Sequence, residues 1–123
     1  MELLTESIPM PITGEVEFSP PIIFGDGSQI RDFIFVQDIA MANFLAMTSN
    51  VKNSLINIGT GKAITILELA NMVIGISKVD LEPVFEKPLN GDIEKSHADI
   101  SLATQSLNWK PKKELSEWLK EVI

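Results

Sequence analysis

Two glycines, Gly25 and Gly27, lie between two short apolar runs near the start of the chain. The first run, 22–24, is Ile-Ile-Phe, and the second, 33–36, is Phe-Ile-Phe-Val. Because only glycine takes positive φ without a steric cost, this pair predicts a sharp turn. The second run is apolar on both faces, which is typical of an interior strand. The sequence therefore predicts two buried strands connected through a tight turn.

Strand and helix patterns alternate beyond this turn. A helix is predicted over 39–49 with Asp38 as its N-cap, because an Asp side chain can accept a free amide hydrogen there. The apolar run 55–58 predicts a third strand. The run 81–85 predicts a fourth strand at a sheet edge, since Pro83 cannot donate to a ladder. The residues expected to share one face of the helix are Ile39, Ala42, Asn43 and Ala46.

The helix after the loop 59–62 has the strongest local pattern. Thr65 and Glu68 have the spacing of a capping box, in which each side chain bonds the backbone amide of the other residue. Gly75 is expected to end the helix. Its apolar residues recur at helical spacing and predict one buried stripe, formed by Ile66, Leu69, Ala70, Val73 and Ile74.

Two shorter helices are predicted toward the C-terminus. Asp99 is a suitable N-cap for the first, and a break at 109–111 separates it from the second. Their inward residues are expected to be Ile100, Ala103 and Leu107 in one, and Leu115, Trp118, Leu119 and Val122 in the other. Weaker patterns suggest a helix end over 1–7 and a strand at 15–18. The chain is thus predicted to be a small α/β domain of about four short strands and four helices.

The composition excludes several kinds of function. The net charge of −7 argues against binding to nucleic acid or to an anionic membrane, which clustered Lys and Arg normally drive. There is no Cys and one His, so a Cys nucleophile, disulfides and Cys or His-pair metal sites are excluded. No apolar run reaches about 20 residues, and the N-terminus has the wrong charge for a signal peptide, so we expect a cytoplasmic protein. The chain has no Tyr, so a Tyr general acid/base must come from elsewhere.

Other conspicuous residues have ordinary interpretations. His97 is expected to face solvent or to bond a loop. Trp109 and Trp118 are expected to pack the last two helices. The lysines of 110–113 are expected to form a solvated break between those helices rather than an anion site.

Six short motifs follow one another from about residue 22 to the C-terminus. They are Gly25-Asp26-Gly27-x-Gln29-x-Arg31-Asp32-Phe33, Val36-x-Asp38-Ile39-Ala40, Asn57-Ile58-Gly59-Thr60-Gly61, Gly91-Asp92-Ile93, Ser96-His97-Ala98-Asp99-Ile100-Ser101 and Leu107-Asn108-Trp109-x-Pro111. In this order they resemble the C-terminal part of the NAD-dependent epimerases/dehydratases, within the extended short-chain dehydrogenase/reductase family. The tail is more similar to UDP-glucose 4-epimerases than to dehydratases or decarboxylases. Residues 1–21 match poorly.

The resemblance implies roles for three residues. In such enzymes the Arg of the Arg-Asp-Phe element contacts the nucleotide diphosphate, the aromatic residue lies near the nucleoside, and the acid of the Gly-Asp element bonds the ribose hydroxyls. These substrate-binding roles fall on Arg31, Phe33 and Asp92. The family often has a second phosphate-binding Arg two residues before the Gly of that element, and this chain has Leu89 there.

The same residues have structural interpretations that the sequence leaves open. A lone Arg at the mouth of a buried strand needs an acidic partner, which a phosphate or a carboxylate can supply. Arg31 could therefore pair with Asp32 or Asp26 instead of a ligand. Asp92 could serve only to form a turn after Gly91.

The resemblance also implies an NAD-binding Rossmann half with a glycine-rich turn and a Tyr-x-x-x-Lys pair, neither of which lies within 1–123. We therefore expect a nucleotide-sugar-binding C-terminal domain that binds no NAD and has no epimerase or dehydratase activity alone. The helix over 39–49 and the strand 55–58 are expected to pack against the missing half and to expose apolar faces without it. The alternative is a non-catalytic fragment that binds no ligand and forms a homo-oligomer through these faces.

Overall fold

The computed structural model describes residues 18–123, so the predictions for 1–7 and for most of 15–18 lie outside the described residues. The described part confirms a small α/β architecture of four helices and four short strands. The helices are α1 (Val36–Thr48), α2 (Ile66–Ser77), α3 (Ser101–Leu107) and α4 (Leu115–Val122). The strands are β1 (Ile22–Phe24), β2 (Ile30–Arg31), β3 (Ile64–Thr65) and β4 (Val84–Glu86).

A central cluster of four buried residues forms the main core: Ala42 of α1, Ala103 and Leu107 of α3, and Trp109. Trp109 is only 1% exposed, which confirms that it packs in the core. The inward residues predicted for α3 are also confirmed, since Ala103 and Leu107 are buried and Ile100 packs against the cluster. No helix within residues 18–123 has the length and apolar character that crossing a membrane requires.

The strands form two separate pairs. β1 and β4 are parallel, and β2 and β3 are antiparallel, with Arg31 opposite Ile64. β1 occupies the predicted residues. β4 begins at Val84 rather than at 81, because Pro83 has no amide hydrogen and the ladder starts with the Val84 amide, which donates to the Pro21 carbonyl.

The strands predicted at 33–36 and 55–58 are wrong. No strand within residues 18–123 pairs with either segment, so neither forms a ladder. Their apolar character serves packing instead, since Ile34, Ile56 and Ile58 lie against the central cluster. Leu55 is 96% exposed. The apolar runs thus indicated side chains that pack against the core, without showing whether a hydrogen-bonding neighbour was present.

α1 begins earlier than predicted. Its N-cap is Phe35, which makes no side-chain cap bond, so the prediction that Asp38 caps this helix is wrong. Asp38 lies buried in the first turn. Its carboxylate accepts the Lys113 amide at 3.0 Å, and its carbonyl accepts the indole N–H of Trp109 at 2.9 Å. Asp38 therefore fastens the segment before α4 to α1.

α2 confirms the predicted capping box. The Thr65 hydroxyl accepts the Glu68 amide at 3.0 Å, and the Glu68 carboxylate accepts the Thr65 amide at 2.7 Å. The helix continues through Gly75 to Ser77, so the prediction that Gly75 ends it is wrong. It ends instead at Lys78, whose backbone is left-handed with a φ of 56°. A helix end of this kind needs one left-handed residue, which does not have to be glycine.

The outer face of α1 is apolar and uncovered within residues 18–123. Of the stripe predicted for this helix, Ala42 is buried, whereas Ile39, Asn43 and Ala46 are exposed. The large apolar side chains of the outer face are Val36, Phe44 and Met47, and Met47 is 77% exposed. The structure thus exposes large apolar side chains on this helix that the predicted stripe did not include.

Candidate functional site

Arg31 and Asp92 form an ion pair, with 2.8 Å between Nη2 and Oδ1. Their side chains are 25% and 33% exposed, so the pair lies at the surface but is partly shielded. The Nη1 atom of Arg31 donates to the Ile30 carbonyl at 2.7 Å. These bonds engage two nitrogens of a guanidinium that carries five N–H donors. Within residues 18–123, the remaining donors are available to an anionic ligand.

The strand pairing around β2 explains why these two residues meet. The Ile30 amide donates to the Glu94 carbonyl at 2.8 Å, and the Ser96 amide donates to the Ile30 carbonyl at 2.9 Å. Residues 94–96 therefore run beside β2, next to Arg31. Gly91 has a φ of 78°, a conformation that glycine takes without strain, and the turn there leaves Asp92 facing β2.

Gln29 completes this arrangement. Its Nε2 donates to the Phe24 carbonyl at 2.9 Å and to Asp92 Oδ2 at 3.3 Å. Arg31 thus holds one oxygen of the Asp92 carboxylate, and Gln29 holds the other. Sequence reasoning did not identify Gln29 as part of the site. The available clue was its position two residues before Arg31, which places both on one side of an extended segment.

The acids offered by the sequence as alternative partners of Arg31 are engaged elsewhere. Asp26 accepts the hydroxyl of Ser28 at 2.6 Å and its amide at 2.9 Å, and these bonds hold the pKa of Asp26 below its ordinary value. Asp32 binds a neighbouring loop. Neither acid forms an ion pair with Arg31 in the described part of the chain, so its acidic partner is Asp92.

Asp32 fixes the glycine-rich loop that precedes β3. Its carboxylate accepts the amides of Thr60 and Gly61 at 2.9 and 3.0 Å, and the Thr60 hydroxyl at 2.5 Å. Gly59 has no room for a side chain, since a Cβ there would lie 2.6 Å from the Cβ of Ala98 and 2.7 Å from Asp32 Oδ2. Asp32, the Asp of the Arg-Asp-Phe motif, therefore holds this loop in place beside the candidate site.

Phe33 is the third residue that the resemblance implies. It borders two cavities of about 390 and 300 Å³, and neither is lined by Arg31 or Asp92. The larger one also contacts Lys110, and the smaller one, which is mostly apolar, contacts Trp118. Arg31 and Asp92 are thus in direct contact, whereas Phe33 lines two cavities that neither of them borders.

Two further polar residues have partners in the fold. The Nε2 of His97 bonds the Gly61 carbonyl at 2.8 Å, which confirms the loop hydrogen bond that was one of its expected roles. The Lys113 ammonium pairs with Glu121 and lies 5.8 Å from the centre of the Phe35 ring. The prediction of a simply solvated lysine cluster is therefore wrong for Lys113.

The described residues do not fit an NAD site. Such a site needs a glycine-rich turn that opens directly onto a free helix N-terminus. The turn at 25–27 leads into β2, and the loop at 59–61 leads into β3. The first turn of α2 is closed by Thr65 and Glu68. Residues 18–123 also contain no group of three His, Asp or Glu side chains close enough to hold a metal ion.

Comparison with known proteins gives consistent matches. Residues 3–122 match the family model described as GDP-mannose 4,6 dehydratase. The structure of UDP-glucose 4-epimerase from Thermotoga maritima with UDP-glucose is 42% identical, with a TM-score of 0.78 over 82% of this chain and 32% of that one. The UDP-glucose 4-epimerase of Mycolicibacterium smegmatis is 34% identical over 82% of this chain and 32% of its own length.

A third match includes the cofactor. The structure of UDP-glucuronic acid 4-epimerase from Bacillus cereus contains UDP-glucuronic acid and NAD. It is 33% identical, with a TM-score of 0.76 over 82% of this chain and 33% of that one. The chain spans about a third of the length of the curated relatives it matches.

Proposed function

The chain belongs to the epimerase/dehydratase family whose model is described as GDP-mannose 4,6 dehydratase, and we propose that it holds the nucleotide end of a nucleoside-diphosphate sugar. The observation that carries this proposal is the Arg31–Asp92 pair, a partly exposed cation with free donors beside a partly exposed acid. Relatives that match over the same region contain UDP-glucose or UDP-glucuronic acid. On this proposal residues 1–123 act as one C-terminal, nucleotide-sugar-binding domain.

Each residue of the pair has a distinct role in the proposal. Arg31 donates to the diphosphate, because a guanidinium presents several N–H groups in a planar fork that matches phosphate oxygens. Asp92 accepts hydrogen bonds from the ribose hydroxyls, because an ionised carboxylate has only acceptors. Phe33 contacts the nucleoside only if the bound ligand extends to the cavities that it borders. Leu89 is 56% exposed and provides no second cation.

Catalysis requires groups that this chain does not have. There is no Tyr in the sequence, and the described residues do not fit NAD. When NAD is bound in the intact enzyme, it supplies the transient oxidation and reduction of the sugar. We propose that a Rossmann half provides the NAD site and the Tyr-x-x-x-Lys pair, and that residues 1–123 alone interconvert no UDP-sugars. Cytoplasmic location stays a prediction.

Calorimetric titration of UDP into the chain tests the proposed role of Arg31. Arg31→Ala removes a charge-assisted hydrogen bond worth about 1.5–3 kcal/mol, which weakens UDP binding roughly ten- to hundredfold. Arg31→Lys should recover only part of this loss, because an ammonium has no planar fork. Uridine, which has no phosphate, should bind wild type and Arg31→Ala equally.

A matched control removes a cation outside the site. Lys52 is exposed and lines neither of the cavities that Phe33 borders. Lys52→Ala should leave UDP affinity unchanged, so any general effect of charge is measured separately. A wild-type chain that binds no UDP at millimolar concentration contradicts the proposed function. An unchanged dissociation constant in Arg31→Ala with a lowered melting temperature makes Arg31 a structural partner of Asp92 only.

A second candidate function is self-association without ligand binding. The observation that favours it is the uncovered outer face of α1, together with the 96% exposed side chain of Leu55. Exposed apolar area of this kind is normally covered by another surface. UDP distinguishes the two candidates, because a ligand raises the melting temperature only of a protein that binds it. A homo-oligomer whose melting temperature does not respond to UDP supports this second function.

A further inference from the structure

We propose that Gln29 is a positioning residue that holds Asp92 in place and through it orients Arg31, an inference that rests on the proposed nucleotide-binding function. Gln29 is half-buried, and its single amide nitrogen bonds two elements at once. One bond goes to the carbonyl of Phe24 at the end of β1, and the other goes to the Asp92 carboxylate. These two hydrogen bonds give Gln29 a role beyond packing.

Few backbone hydrogen bonds hold the segment that carries Asp92. The chain from 87 to 93 lies between two backbone hydrogen bonds, from the Gly25 amide to the Glu86 carbonyl at 3.0 Å and from the Ile30 amide to the Glu94 carbonyl at 2.8 Å. Every residue between these two bonds is exposed. Its internal turn is closed by one long bond of 3.4 Å, from the Asp92 amide to the Leu89 carbonyl.

Backbone pairing thus fixes the two ends of this segment, and the side-chain bonds to Asp92 hold its carboxylate between them. In the described part of the chain, the Asp92 carboxylate is bonded by Gln29 and Arg31. If Arg31 were its sole partner, the carboxylate would depend on one long side chain, whose other bond in the described part of the chain goes to the adjacent Ile30 carbonyl. Gln29 connects the carboxylate to the Phe24 carbonyl in β1, which belongs to the ordered sheet. The site is thus fixed before a ligand arrives, which reduces the ordering cost of binding.

A double-mutant cycle tests this inference with UDP as the probe. Gln29→Leu keeps the side-chain volume but removes the donor, and we expect UDP to bind about three- to tenfold more weakly, less than for the loss of a direct bond to the ligand because Gln29 acts only through Asp92. In an Asp92→Ala background, the same Gln29→Leu change should have no further effect, because Gln29 acts through Asp92. Gln105→Leu, an exposed glutamine on α3, is the matched control and should leave UDP affinity unchanged.

A second readout does not depend on UDP. The Arg31 side-chain N–H resonance, observed in a ¹H–¹⁵N NMR spectrum, should shift in Gln29→Leu and in Asp92→Ala but not in Gln105→Leu. Full additivity of Gln29→Leu and Asp92→Ala on UDP affinity, or an unmoved Arg31 resonance in Gln29→Leu, would overturn the positioning role. If the Arg31 resonance moves as expected but wild type binds no UDP, the proposed function fails while the coupling of Gln29 to Arg31 stands.

Discussion

Gly59→Ala is expected to be one of the most destabilising single-atom additions available in this chain. The added Cβ would lie 2.6 Å from the Cβ of Ala98 and 2.7 Å from Asp32 Oδ2. Neither neighbour can move freely. A methyl group is attached directly to the backbone, and Asp32 Oδ2 is held by the amides of Thr60 and Gly61 at 3.1 and 3.0 Å. Relief of the contact must therefore shift backbone or break a hydrogen bond to the carboxylate.

The expected loss of stability follows from these two ways of relieving the contact, a backbone shift or a broken hydrogen bond. Overpacking in a closely packed region costs about 1–3 kcal/mol, and loss of a hydrogen bond to a charged group costs about 1.5–3 kcal/mol. Because relief along one route lessens the other, we expect Gly59→Ala to lower the free energy of unfolding by about 2–4 kcal/mol. For a domain of this size that is a fall in melting temperature of roughly 8–16 °C, measured by circular dichroism.

Gly75→Ala is the matched control. Gly75 lies inside α2, and nothing lies within 4 Å of the position that a Cβ would take. Alanine is the better helix former, so this change should stabilise the chain by about 0.5–1 kcal/mol. The two substitutions are chemically identical and should have opposite signs. Equal stability of Gly59→Ala and wild type would refute the argument that Asp32 and Ala98 leave no room in this loop.

Two further predictions concern pH dependence and association. Hydrogen bonds from the Ser101 hydroxyl and, to a lesser extent, the Ser101 amide hold the pKa of Asp99 below its ordinary value. The ionised Asp99 therefore stabilises the fold above the pKa of about 3.9 that it has in the unfolded chain, and this stabilisation is lost as the pH falls through its pKa in the folded chain. Urea unfolding should show Asp99→Asn less stable than wild type at neutral pH, with the difference shrinking below about pH 4; a constant difference contradicts this. Light scattering should show that the double variant Met47→Lys, Leu55→Lys self-associates less than wild type, whereas the control Gln105→Lys self-associates as wild type does. A monomeric wild type would contradict this prediction.

The accuracy of the sequence predictions depended on how local each determinant was. The capping box of Thr65 and Glu68 was predicted correctly because both partners lie within one helical turn. The prediction that Asp38 is an N-cap was wrong because its carboxylate binds the Lys113 amide, 75 residues away. The strand predicted at 55–58 failed for the same reason, since a ladder depends on a neighbour that no local pattern reveals.

The candidate site shows the same limit. Arg31 and Asp92 were identified through motifs, but nothing in the sequence showed that they would contact each other. Their contact depends on residues 94–96 pairing with β2, a non-local arrangement. Gln29 lies in the same motif as Arg31, but the motif does not predict its role, because that role depends on where its two acceptors, Phe24 and Asp92, lie in space.

The Arg31–Asp92 pair holds Arg31 in place without using all of its hydrogen-bond donors. Partly exposed ion pairs contribute about 0–1 kcal/mol, because solvent screens the charges and two side chains lose freedom. A charge-assisted hydrogen bond from Arg31 to a diphosphate is worth about 1.5–3 kcal/mol. A ligand would therefore gain more from the free donors of the guanidinium than it would lose if it weakened the ion pair. The balance would reverse if both side chains were fully buried, since an unpaired carboxylate would then be strongly disfavoured. The exposures of 25% and 33% are thus consistent with a cation and an acid that stay paired while both also face a ligand.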